Sequence, residues 1–485
     1  MLPPSSTTGL HPASSAPFAR SSQYPLTVFD NPFERSAFLT GWLVEGIIDT
    51  NALAAALRRV TEKWRVLAGR LEVLPESKTW QVRVPLDPLP DDYSTYVLTE
   101  STSDVPFSTY ATMPIETNSQ ALPQSLFLHP STPRQNADWV ARSYPLTCWH
   151  VTHFPSRVAG ELSYSCIGFA RSHGIFDGVG AAAVMRALVA EMKVKEWNVP
   201  PLPLEGFHSN PINEVLSKAL AEGKSYPPPC YSALGLKGMS QLLWLAGWHL
   251  RERYWRGAIH RIFAVPKECL AFLVDGVKGE VRHENPDVEV TSGDVLTAWC
   301  MKVIYKTGTS PETVVHCSNI ASFRELITQA GGDSMEYYPH NAWIPLPYPT
   351  LTVKELNSLS IAEFALALCQ ARHKMSLDHV VSSFRFLTSN PVSMPVHPEA
   401  QETLTLSNVS ASRILESDWS PIGSLGTVCG YRFSATPNNL VIGNRVYFSG
   451  RLPDGTTIID VNLSKVRMQN LAKAIERLKL KVPVG

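Results

Sequence analysis

An α/β chain of two similar-sized domains is what this sequence predicts, and three observations predict it. Helical and strand periodicities are mixed through both halves. Two proline-dense stretches, Pro200 to Pro203 and Pro227 to Pro229, interrupt them near the middle. The 485 residues are enough for two or three domains at about 150 residues each. The expected layout is a disordered leader over 1–23, a first subdomain over 24–199, a proline-rich crossover over 200–235 and a second subdomain over 236–485.

The leader, MLPPSSTTGLHPASSAPFARSSQ, lacks the continuous apolar core of a signal peptide. Phe38 to Glu45 reads as a strand. Asp49 or Thr50 then caps a helix in which Leu53, Ala56, Leu57 and Val60 recur at helical spacing, followed by Trp64, Leu67 and Leu71. Residues 72–145 are rich in Pro, Ser and Thr, with short strand-like pieces such as Trp80 to Val84. Leu146 to Phe154 and Glu161 to Arg171 form a hairpin around the loop PSRVAG. Ser172 to Gly180 is a glycine-rich turn leading into the helix AAAVMRALVAEMK, where Val184, Leu188 and Met192 share a face.

Beyond the crossover, an aromatic-rich helix is expected over Leu236 to Trp255, with Trp244, Trp248 and Trp255 at helical spacing in the core. A strand follows at Ile259 to Val265, and Pro266 opens a short helix through Asp275. Helices are expected at Ser292 to Lys306, holding a core Trp299, and at Val353 to Lys374. Strands at Asn439 to Phe448 and Thr456 to Leu463, with the turn Asp454-Gly455 between them, precede a closing helix, Ser464 to Leu480.

Composition narrows the function. Lys+Arg and Asp+Glu are both 43, a formal charge of zero, which argues against nucleic-acid binding and against a polybasic membrane-surface protein. Charged residues are 18% and hydrophobic ones 44%, the balance of a folded chain with an apolar interior. The eight cysteines form no C-x-x-C pair and most sit in apolar runs, as buried thiols do in a reducing compartment, so a cytoplasmic location is expected. The strongest apolar stretch, Leu242 to Leu250, is too short to span a bilayer.

The chemistry-bearing feature is His173-Gly174-Ile175-Phe176-Asp177-Gly178. H-x-x-x-D alone is weak, and a second copy, His283 and Asp287, occurs in a polar stretch interrupted by Pro286 that reads as a surface loop. His173 instead ends an apolar strand and precedes a helix, and Gly174, Gly178 and Gly180 permit a tight turn and close backbone approach. Asp177 stands where a helix N-cap belongs, free to bond into the turn or to meet an arginine. No G-x-S-x-G elbow, P-loop, dinucleotide fingerprint or metal-ligand spacing occurs, so no metal is expected. A lone histidine near neutral pKa suits general-base work on a hydroxyl or amine. A satisfied histidine in a structural turn is the plainer alternative. His150 and His153 lie an odd number of residues apart in a strand, on opposite faces, so at most one can face a channel.

Several segments resemble the BAHD-type acyltransferases, within the chloramphenicol-acetyltransferase-like fold. They run in family order from about residue 24 to 480: Leu26 to Asp30 for L-x-x-x-D, Trp64 to Leu71, the H-x-x-x-D-G of His173, Asp177 and Gly178, and Thr291 to Trp299. Asn319 to Arg324 stands for the N-x-R-x-R strand, Tyr337 to Ala342 for Y-F-G-N-A, and Pro453-Asp454-Gly455 closes the series. The family's D-F-G-W-G motif is reduced to Ser424-Leu425-Gly426-Thr427-Val428, which marks a divergent branch, of the kind seen in fungal secondary-metabolite acyltransferases.

The resemblance implies two such domains, mixed sheets flanked by helices, with an active-site channel between them. It implies that His173 is the general base and that Asp177 and Gly178 are structural, with Arg324 as the candidate partner of Asp177. Asn341 and Ser410 are candidates for contacting the substrate or the oxyanion, beside an ordinary capping role. Acyl-CoA, with acetyl-CoA expected, enters as cosubstrate and no cofactor stays bound; the acceptor is a hydroxyl of a small apolar natural product such as a terpenoid or polyketide. A monomer is expected. Other readings are a condensation-type domain, although Ser172 stands where those carry a second histidine, an acyl-independent proton transfer such as isomerisation, and a non-catalytic binding protein on the same fold.

Overall fold

Apolar runs in the first half become strands buried on both faces. The computed structural model describes residues 18–74, 79–158, 160–229, 243, 246–248, 250–332, 334–390, 396–397, 399–437 and 443–481. The first half contains β1 (Ser21–Pro25), β2 (Ala37–Glu45), α1 (Thr50–Lys63), β3 (Arg70–Val73), β4 (Trp80–Pro85), β5 (Val97–Thr102), β6 (Asn118–Ser119), α2 (Asn136–Ala141), β7 (Thr147–Phe154), β8 (Tyr164–Ser172) and α3 (Gly178–Met192). Every residue of β7 and β8 is buried, so both lack the alternation of a half-exposed strand. Asp49 caps α1, accepting from the amides of Asn51 and Ala52 at 2.9 and 3.0 Å. The buried stripe Leu53, Ala56, Leu57 and Val60 seats α1 on the core beside α3.

The second half contains β9 (Gly206–Phe207), α4 (Pro211–Ala221), β10 (Ile259–Val265), α5 (Lys267–Glu284), α6 (Ser292–Ile304), β11 (Val314–Ser322), α7 (Arg324–Gln329), β12 (Trp343–Pro345) and β13 (Leu351–Thr352). It continues with α8 (Val353–Ser358), α9 (Ile361–His373), α10 (Leu377–Ser389), β14 (Glu402–Asn408), β15 (Gly426–Ala435), β16 (Arg445–Arg451), β17 (Thr457–Leu463) and α11 (Lys465–Lys481).

Three mixed sheets result, flanked by helices. One runs β15-β2-β8-β7-β5, a second β12-β11-β14-β16-β17-β10-β6 with β13 on β11, and a smaller one β3-β4-β1-β9. The halves exchange strands. β15, from the last third of the chain, lies antiparallel on β2 from Gly426↔Glu45 to Ala435↔Ala37, while β6 from the first half pairs with β10. The segment leading into β15 consequently buries Ile414, Leu415, Trp419 and Ile422 in the first core, with Trp419 edge-on to Trp42 at 5.1 Å. Phe29, Ile212, Phe323, Ile327, Trp343 and Phe384 form a further apolar cluster that joins α4, α7 and α10 to the chain entering β2.

Several expectations change. Ser21 to Gln23, assigned to the leader, belong to β1, whose edges are taken by β4 and β9. The helix after Pro266 runs to Glu284 because Val274, Val277 and Val281 continue its buried stripe. His283 lies exposed on the last turn of that helix rather than in a loop. The single helix expected over Val353 to Lys374 is two, each opened by its own capping box, Thr352 with Glu355 and Ser360 with Glu363. Trp255 is 90% exposed and not core, Trp248 is half-buried, and Trp244 and half of the aromatic helix lie outside the described residues. Trp299 is buried. Of the strand expected from Asn439, residues 438–442 are also outside, and β16 begins at Arg445. Seven cysteines are free and buried; Cys230 is not among the described residues. No described helix is long and apolar enough to cross a membrane.

Candidate active site

The turn after β8 is fixed from both halves of the chain. Ser172 ends the strand; its hydroxyl bonds to the Asn136 side chain and accepts the Gly174 amide, while its carbonyl accepts the amides of Ile175 and Phe176. The His173 amide donates to the Ser36 carbonyl at 2.9 Å, tying the turn to the start of β2. Asp177, with extended backbone, caps α3 by accepting from the amides of Val179 and Gly180 at 3.0 and 2.9 Å.

Arg324, at the start of α7, closes on Asp177 with both guanidinium nitrogens at 2.8 and 2.9 Å, a bidentate, charge-assisted pair. Arg324 also donates to the His340 carbonyl at 2.7 Å, and the Ala342 amide donates to Asp177 at 3.3 Å. The segment Tyr338 to Ala342 thus braces the turn from the second half, and a side chain at Gly180 has no room against it: a Cβ there would stand 2.0 Å from the Pro339 carbonyl oxygen. His340 donates through Nδ1 to the Ile175 carbonyl at 3.0 Å.

The His173 ring stacks on Phe33 at 4.2 Å and meets Phe38 edge-on at 4.9 Å. Its Nδ1 faces the Phe176 carbonyl at 3.3 Å; a carbonyl only accepts, so the proton sits on Nδ1 and Nε2 carries the lone pair. No described group bonds to Nε2. Burial first, then the charges of Arg432 and Arg171, push the imidazole pKa down to about 4, so the ring is neutral at ordinary pH. It opens onto a narrow cavity of about 20 Å³ lined by residues from both halves, among them Phe38, Arg171, Gly178, Val409, Ser412 and Arg432.

The sequence candidates separate here. His173, Asp177, Gly178 and Arg324 come together, with Gly178 leaving 3.2 Å between a notional Cβ and Val409. Asn341 does not offer a donor to a substrate: its side-chain N–H groups go to Asp30 and to the His173 carbonyl, both at 2.8 Å, and its oxygen accepts Trp343 Nε1. Ser410 is not on the cavity wall; Val409 and Ser412 are. His150 is held by Thr99 and Thr152, and His153 by Ser165 and Glu100, so neither reaches His173.

Three groups at the site escaped the sequence reading, and a fourth, Asp30, entered it only as a family landmark with no role. Asp30 accepts the Thr27 amide and hydroxyl and the backbone amide and one side-chain N–H of Asn341, and burial pushes its carboxyl up to about 7 against those bonds. Phe33 stacks on one face of the imidazole. Arg171 and Arg432 face the cavity from β8 and β15. A charged residue inside an otherwise apolar strand was the available signal for both arginines.

No family model matches this chain. It is similar to the O-acyltransferase pboC of Aspergillus ustus, 28% identical over 181 residues, 37% of this chain and 35% of the relative. It is also similar to the acetyltransferase pyiB of Pyricularia grisea, 24% identical over 359 residues, 69% of this chain and 67% of the relative. The matched region therefore spans about a third of the first relative's length and two thirds of the second's. Among solved structures, TRI101 of F. sporotrichioides complexed with coenzyme A and T-2 superposes with a TM-score of 0.62 at 14% identity, covering 94% of this chain and 98% of that one. This chain has the fold of the BAHD-type acyltransferases. Low identity to those structures makes it a divergent example of that fold, and the Ser424 to Val428 segment, which keeps one glycine of the motif and lacks its Asp and Trp, runs into the start of β15, with Gly426 opposite Glu45 of β2.

Proposed function

We propose that this BAHD-fold chain is a CoA-dependent O-acyltransferase, transferring acetyl to a hydroxyl of a small natural product such as a terpenoid or polyketide, with His173 as general base. The observation that carries this is the imidazole itself: neutral, with its proton committed to the Phe176 carbonyl and its Nε2 free at a cavity walled by both halves. The relatives named O-acyltransferase and acetyltransferase, and the coenzyme A in the TRI101 structure, support the reaction class.

In the step envisaged, His173 Nε2 takes the acceptor's hydroxyl proton as that oxygen attacks the thioester carbonyl carbon. The new C–O bond forms, the tetrahedral oxyanion collapses, the C–S bond breaks, and the imidazolium returns its proton to the departing thiolate. Asp177 and Arg324 position the turn without touching the reacting atoms, and neither Asn341 nor Ser410 is kept as a contact.

The test is thiol release from acetyl-CoA in the presence of hydroxylated terpenoids and polyketides. Acceptor-dependent release by the wild type and a fall of about 10²–10⁴ in His173→Ala are expected. Full activity in the variant would overturn the assignment.

A further inference from the structure

We propose that Arg171 and Arg432 form a subsite for a carboxylate on the acceptor, so that the hydroxyl offered to His173 belongs to a hydroxy acid; this rests on the acyl-transfer reading. Both guanidinium groups line the cavity that holds His173. All three groups share one aromatic neighbour: the Phe38 ring has Arg432 Cζ at 4.5 Å, Arg171 Cζ at 5.6 Å and the His173 ring at 4.9 Å. An anion between the two arginines therefore lies beside the base.

Neither arginine has an ion-pair partner among the described residues. Arg171 is only 3% exposed; its Nη1 donates to Thr40 Oγ1 and the Phe169 carbonyl at 3.2 and 3.3 Å, and its Nε is buried without a partner. Arg432 donates to Ser407 Oγ at 3.3 Å and lies over the rings of Phe38 and Tyr447. Asp177 acts on Arg171 and Asp460 on Arg432 only from a distance; in contact, Asp177 pairs with Arg324 and Asp460 with His260 at 2.6 Å and Arg445 at 3.6 Å. A buried cation and a half-buried one, neither with a carboxylate in contact, are costly to the fold, and a ligand that brings the anion offsets that cost. The planar guanidinium fork suits a carboxylate.

The phosphates of CoA do not fit this position, because a thioester at His173 keeps them a whole pantetheine arm away. A carboxylate here also relieves the two positive charges that, after burial, depress the His173 pKa. The apolar acceptor that the family resemblance implies is thereby replaced by an acidic one.

The experiment uses the full chain with pairs of hydroxy acids and their methyl esters, which share a hydroxyl and differ in charge. Wild type is expected to turn over at least one acid with kcat/KM about tenfold or more above its ester, the size of a charge-assisted contact. Calorimetry without acetyl-CoA is expected to show the same preference in Kd. Arg432→Met should erase the preference by lowering the acid alone, and Arg432→Lys should restore part of it. Equal binding and turnover of acid and ester by wild type overturns the subsite, even if a variant fails to fold. An equal fall for both in a folded Arg432→Met also overturns it, assigning Arg432 to the oxyanion instead. Tighter binding of the acid with no thiol release from any pair supports the subsite and retires the acyl-transfer reading.

Discussion

Asp177 spends its carboxylate on three tasks at once: capping α3, pairing with Arg324 and accepting the Ala342 amide. Removing it leaves Arg324 buried without a counter-charge, so Asp177→Ala is expected to cost about 3–5 kcal/mol, read from the denaturant midpoint, and to slow the reaction as well. His173→Ala should lose the reaction without that penalty. Because the neutral imidazole is the active form, the rate rises with pH as the ring deprotonates. The free enzyme's kcat/KM should therefore show an acid limb near pH 4, set by the depressed pKa, and a plateau at neutral pH; a limb near the ordinary histidine value would contradict the burial argument. The turn itself was legible from glycine spacing after an apolar strand. Arg324, 147 residues from Asp177, was reachable only through the family resemblance. For Asn341 the sequence left a substrate contact and an ordinary hydrogen-bonding role open, because a polar residue aimed into a loop and one aimed into a cavity look alike; its bonds to Asp30, the His173 carbonyl and Trp343 fill the second.

At the level of elements, the start of α3 depends on a backbone approach that only glycine permits. Gly180→Ala drives a methyl group against the Pro339 carbonyl. A loss of about 1–3 kcal/mol is expected, with reduced activity as the Tyr338 to Ala342 brace shifts. Gly276, in the interior of α5 with open space around it, is the control: Gly276→Ala should stabilise by about 0.5–1 kcal/mol. Thermal melts of the two variants moving in the same direction would contradict this. Helix interiors were readable because buried residues recur at helical spacing. The break between α8 and α9 was not, since Ser360 and Glu363 form a capping box inside a stretch whose apolar pattern barely pauses. α10 was missed altogether, although Val380, Val381, Phe384 and Leu387 are its buried stripe.

Across the whole molecule, the pairing of β15 with β2 explains how residues from both halves wall one cavity. Pairing between Gly426 and Glu45 leaves no local mark in the sequence, so the two-domain layout was legible and the exchange was not. Burial also sets the acid behaviour of the fold. His150, His173 and His340 are held at about 4 and His316 at about 3, in each case by burial first. Unfolded histidines titrate near 6.5, so between there and about pH 4 the unfolded chain binds more protons and stability rises with pH. Asp30, raised to about 7, acts in the opposite sense over pH 4 to 7, but it is one group against four. The melting temperature is expected to fall as pH drops from 7 toward 5; a flat or rising profile would show that these imidazoles are not buried in neutral form.

The central claim is that acyl transfer takes place at His173. A crystal structure with coenzyme A bound tests it most directly. The account predicts the pantetheine thiol about 3–3.5 Å from where an attacking hydroxyl would meet His173 Nε2, with the arm reaching the cavity between the halves. Coenzyme A seated elsewhere, or its thiol turned away from His173, would contradict it.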